Sequence, residues 1–157
     1  MSAPSIPYLR ALCDLVPLDG REILEPYTAA ALRAIYNRLG PDSFPAWLRG
    51  AISDLNRWLE PAALIHDVEW HLSDGTRPSF EASNDRLRRN GILLARHHYR
   101  AWDPRRYLCI LRARRFAAYC AAFGWSAWRR DAGGAACDPA RAEASRAAAL
   151  PPREEGA

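Results

Sequence analysis

PAALIHDVEWHLSDG, residues 61–75, opens on a proline and closes on Ser73-Asp74-Gly75. Pro61 lacks the N–H that a first helical turn leaves unpaired, and a serine-aspartate-glycine run breaks a helix at its far end. The residues between read as one helix. It gathers His66, Asp67, Glu69, Trp70 and His71 into two turns. His66 and Trp70 are four apart and share a face, while Asp67 points about 100° away.

The flanking sequence is helical by the same tests. Thr28 to Leu39 places Leu32, Ile35, Tyr36 and Leu39 on one face and stops at Gly40-Pro41. From Pro45 to Leu59, the residues Trp47, Leu48, Ile52, Leu55, Trp58 and Leu59 recur at helical spacing. After the break, SFEASNDRLRRNGILLARHHYRAW (residues 79–102) has Ser79 as its expected N-cap and Phe80, Leu87, Leu94 and Tyr99 as a buried stripe. Gly91 weakens that helix by about 1 kcal/mol relative to alanine, and so marks a kink or a close packing contact. Asp103-Pro104 starts the last long helix, which Gly124 ends.

Nothing alternates with period two for long enough to form a strand. The expected fold is therefore all-α, a compact bundle of about five helices with the His-Asp helix packed on the one that follows. Residues 1–130 form the helical domain. Residues 131–157 lose the large aromatics and read as an Ala/Arg/Pro-rich flexible tail without an apolar face. No internal repeat is visible.

With 157 residues, 49% of them hydrophobic and 25% charged, the chain has room for one continuous core. No apolar run is long enough for a transmembrane helix, and the N-terminus has no secretory pattern. Cys13, Cys109, Cys120 and Cys137 lack metal-ligand spacing and are too sparse for a disulfide scaffold. They are expected to be free thiols, with Cys109 and Cys120 on one buried face. The localisation implied by the free thiols and the missing signal is cytoplasmic. Every basic residue is arginine, and the net charge is +4. Arginine pairs in bidentate fashion with phosphate and carboxylate, so a phosphate-bearing partner is compatible with this composition.

The helix after the break carries Asp85. Packed antiparallel, the two helices bring Asp85 to the His66 imidazole, an arrangement that orients a histidine base and stabilises its charged form. The order His-Asp-x-x-aromatic, then an aspartate on the next helix, resembles the phospholipase A2 type of site. It resembles more closely a group of small phage and prophage proteins with an I-H-D-x-x-Y segment, an A-D-x-x-F helix and an Arg-rich helix ending in aromatics. The matching segments are LIHDVEW, SNDRLRRN and RARRFAAYCAAFGWSAW, between Pro61 and Trp128. The resemblance implies His66 as general base, Asp85 as its partner, Asp67 as a calcium ligand and Trp70 in the aromatic position, with hydrolysis of a phospholipid ester as the reaction. Calcium takes six to eight oxygens, and here Glu69 and Asp42 are the available supplements. Only Gly40 and Gly50 stand where that family has a glycine-rich calcium loop.

Other readings compete. A His-Asp pair at a helix contact also serves as a buried network that fixes register. A metal-dependent phosphohydrolase of the His-Asp superfamily needs a histidine upstream of the pair, and His66 is the first in this chain. His97 and His98 diverge on a helix and read as surface residues. Arg105, Arg106, Arg112, Arg114 and Arg115, interleaved with Trp102, Tyr107 and Trp125, fit a surface for a phospholipid membrane, a virion protein or non-specific nucleic acid. The same arginines also fit a solvated face paired with the chain's own carboxylates. Two readings stand: a hydrolase, which needs an open groove to His66 and a His66-Asp85 hydrogen bond, and a non-catalytic phage structural or accessory protein, in which His66 is covered.

Overall fold

The computed structural model describes residues 4–36, 39, 45–130 and 132. Among them the chain forms seven α-helices and two 3-10 turns, with no strand, so the all-α expectation holds. The helices are α1 (Ile6–Leu15), α2 (Ala29–Ile35), α3 (Ala46–Leu55), α4 (Glu60–His71), α5 (Arg77–His98), α6 (Pro104–Phe123) and α7 (Trp125–Arg130), with 3-10 turns at Arg21–Leu24 and Arg57–Leu59. The tail expected at 131–157 lies outside the described residues, Ala132 apart.

Helix starts follow capping chemistry. Ser5, Thr28 and Asp103 cap α1, α2 and α6, each accepting a backbone N–H of the first turn. The start of α5 differs from the reading above. Thr76, not Ser79, accepts the cap bond, from the Ser79 N–H at 3.4 Å. Pro78 in the first turn explains the shift, because proline suits a first turn that begins at Arg77. The helices not foreseen are α1 and α7. The first is recognisable by Ile6, Leu9 and Cys13 at helical spacing, all buried. The second has only six residues.

The centre of the molecule is α4. Nine of its twelve residues are buried, and it packs on α1, α2, α5 and both 3-10 turns. A helix apolar around most of its circumference belongs in the interior. Leu64, Ile65 and Val68 supply its largest apolar contribution, and the Cys13 thiol of α1 approaches the Pro61 carbonyl at 3.5 Å. Asn90 of α5 ties down the turn after α1, donating to the Asp19 carbonyl at 2.8 Å and accepting its N–H at 2.9 Å.

The α5–α6 contact is close because its residues are small. A Cβ on Gly91 would stand 2.7 Å from the Ala113 Cβ and 2.8 Å from a Leu59 methyl. Gly91 is therefore a packing glycine, and α5 runs unbroken through it. The buried face of α6 is Cys109, Ala113 and Ala117. Cys13, Cys109 and Cys120 are free thiols, and burial pushes Cys13 and Cys120 up to about 12. Cys137 lies outside the described residues. Among those described, no helix is long and apolar enough to cross a membrane.

Candidate functional site

His66 sits on the α5 side of α4 and is 7% exposed. Its Nε2 lies 3.2 Å from the Asn84 Oδ1. The Asn84 amide nitrogen donates to the Phe80 carbonyl at 2.8 Å, which fixes the amide with its oxygen toward the imidazole. Nε2 therefore carries the proton and donates to Asn84. Burial without a counter-charge is the main cause that lowers this histidine to about 4, against a smaller opposing effect of the Asn84 bond. Near neutral pH it is an uncharged, hydrogen-bonded imidazole.

Aromatic rings close over it. Trp70 stacks at 5.4 Å from the His66 ring, as their shared face requires, and Trp70 in turn meets Phe80 and Trp128 at 6.2 and 5.8 Å. Phe80 is fully buried and touches Trp125 and Trp128. The Trp70 ring lies so close to Gly124 that a Cβ there would come within 2.4 Å of it. Among the described residues, neither the Trp70 nor the Trp128 indole N–H finds an acceptor. Ser73, just past the end of α4, donates to the Trp128 carbonyl at 2.7 Å and ties α7 over this cluster.

The structure does not join His66 to Asp85. Asp85 is half-buried at the edge of α5, and its carboxylate accepts from the Arg88 Nε at 3.0 Å and from Arg89. The cause is helical geometry. Asn84 is four residues from Phe80 and shares its inward face, whereas Asp85 is five away and turns about 140° from it. The stripe of Phe80, Leu87 and Leu94 already contained that signal, and Asn84 is the polar member it passes over.

Asp67 is half-buried, and its charge acts on the Cys120 thiol. Glu69 is buried, held by the Arg86 guanidinium and by the Ser83 hydroxyl at 2.9 Å. Asp42 and Gly40 lie outside the described residues. Among those described, no group of three or more His, Cys, Asp or Glu side chains gathers as metal ligands. Glu69 is committed to its own partners. His97 and His98 are exposed at the end of α5 with ring centroids 5.6 Å apart.

A cleft of about 290 Å³ opens beside Glu69, Ser83, Arg86 and Trp128, and His66 does not line it. Exchanging Asn84 for aspartate would place a carboxylate where the amide oxygen now sits. The Asn84→Asp variant is expected to move the His66 titration upward from about 4, read by its ring proton shifts in NMR. An unmoved midpoint would mean that the imidazole does not face residue 84.

The arginine helix has a different character. Arg105 pairs with its own cap, Asp103, at 2.7 Å. Arg106, Arg112, Arg114 and Arg115 form no ion pair with a carboxylate among the described residues. Beside them Tyr107, Leu108, Leu111, Tyr119 and Phe123 are exposed, Phe123 to 70%. This helix is apolar inside through small residues and apolar outside through large ones, the reverse of an ordinary surface helix. The chain matches no protein-family model, no curated protein and no solved structure.

Proposed function

We propose that this protein is a non-catalytic docking protein, a structural or accessory component of the phage kind its segments resemble, and that α6 is its working face. The observation that carries this reading is the outer surface of α6, where arginines without carboxylate partners among the described residues stand among exposed aromatic and aliphatic side chains. Between residues 99 and 130 there are eight arginines and a single carboxylate, Asp103. Such a face attracts an anionic partner at long range.

The geometry at His66 supports the same reading. A general base must be reached by water, and here the imidazole is 7% exposed and lies against the Trp70 ring. Hydrolysis would require the aromatic cover to open. Calcium-dependent fatty-acid release from mixed phospholipid vesicles, abolished by His66→Ala, would restore the phospholipase reading.

The direct test is elution from immobilised heparin, a polyanion, over a salt gradient. The triple variant Arg112→Gln, Arg114→Gln, Arg115→Gln should elute at clearly lower salt than wild type. A control triple on other surfaces, Arg21→Gln, Arg33→Gln, Arg88→Gln, removes equal charge and should elute near wild type. Equal shifts in the two triples would mean that net charge, rather than the α6 face, drives binding.

A further inference from the structure

The partner's chemistry follows from how the outer face of α6 is laid out, on the reading that α6 is the working face. The helix is twenty residues long, about 30 Å. Leu108, Leu111, Ala118, Tyr119 and Ala122 form its outward stripe, all of them exposed. Taking Ala122 as the midline, Arg112 and Arg114 stand about 80° to either side of it, and Arg115 lies within the stripe. Bulky apolar groups mark both ends. Trp102 is 75% exposed just before the helix, and Phe123 stands at its last turn in ring contact with Tyr119 at 4.9 Å. Near the start, the Tyr107 hydroxyl donates to the Ala101 carbonyl at 3.0 Å, which joins the Trp102 loop to the helix.

Charge decides among the covers this stripe could have. A second copy of the chain paired α6 to α6 would set arginines against arginines, since α6 contains no acidic residue. A nucleic acid satisfies arginine and stacks on aromatics, but its polar grooves give Leu108 and Leu111 nothing apolar to enter. A surface that offers phosphates at one depth and hydrocarbon just beneath matches both features. Arginines flanking an apolar stripe extend their stems along it and lift their charged ends to the phosphate level.

We propose that α6 docks in the plane of an anionic phospholipid surface. Leu108, Leu111 and Phe123 enter the boundary between headgroups and acyl chains, and Arg112, Arg114 and Arg115 hold lipid phosphates.

The test is flotation of the full chain with phosphatidylcholine vesicles containing rising fractions of phosphatidylglycerol. A parallel arm measures binding to a duplex DNA of random sequence. Two variant sets are compared with wild type after circular dichroism shows them folded: Leu108→Ser with Leu111→Ser and Phe123→Ser, and the arginine-to-glutamine triple. Binding should rise with phosphatidylglycerol, and each set should weaken it by about tenfold or more. Vesicle binding lost with the arginines but untouched by the serine set would overturn docking into the boundary. Duplex binding that needs the arginines, with no vesicle binding, would overturn the lipid partner and leave α6 as the working face. Binding to neither would overturn both.

Discussion

Acidification from pH 7 to pH 4 should remove about 3 kcal/mol of folding stability through His66 alone, and the His66→Gln variant should be spared that loss. In the unfolded chain a histidine titrates near its usual 6.5, while burial holds His66 at about 4 in the fold. Between those values the unfolded chain takes up a proton that the folded chain refuses. The stability that goes with a neutral buried imidazole is therefore complete above about pH 6.5. It falls away as the pH drops toward 4, and levels off below. Glutamine has no charge to gain, and its amide can still meet Asn84. Carboxylates that lose their arginine partners in acid affect both proteins alike, so the difference between the two urea-unfolding profiles isolates His66. Parallel profiles would mean that His66 titrates normally in the fold, and would return it to consideration as a solvent-accessible base.

Most of the architecture was legible in the sequence because it rests on local chemistry. Proline and glycine mark the limits of α4 and α6, and apolar spacing identifies the stripe of α5 that faces inward. The partner of His66 is harder to see in the sequence, for a reason that lies in one residue step. Asp85 and Asn84 differ by about 100° around α5, and only the inward one meets His66. The acid is the more usual partner of a histidine, but the amide holds the register position. The aromatic cover over His66 was also hidden. Trp70 was visible, but Trp128 reaches it only because the chain turns at Gly124 into α7, and six residues are too few to show helical periodicity. The sequence of α6 is compatible with either a solvated or a ligand-binding face. What sequence left open was whether its arginines meet the chain's own carboxylates. Among the described residues only Arg105 on that helix does.

The Arg86→Met variant should lose about 3 kcal/mol of stability, because it strands a buried carboxylate. Glu69 is 8% exposed, and apart from Arg86 its only described hydrogen-bond donor is the Ser83 hydroxyl. Arg86 also lies 3.5 Å from Asp19, so a single guanidinium links α4, α5 and the turn after α1. Methionine preserves most of the stem's packing and removes the charge, so the cost measures the orphaned Glu69 rather than a cavity. The double variant Glu69→Leu, Arg86→Met should recover much of the loss, because an apolar pair of similar volume needs no counter-charge. Thermal and urea unfolding of the four proteins close a double-mutant cycle on the pair. A double variant no more stable than Arg86→Met would show that the guanidinium acts through Asp19 instead, as a clamp on the turn at Gly20. That glycine has φ +80°, and a Cβ there would meet the Arg86 stem at 2.7 Å. The pair thus joins the C-terminal end of α4 to α5 and to the turn after α1.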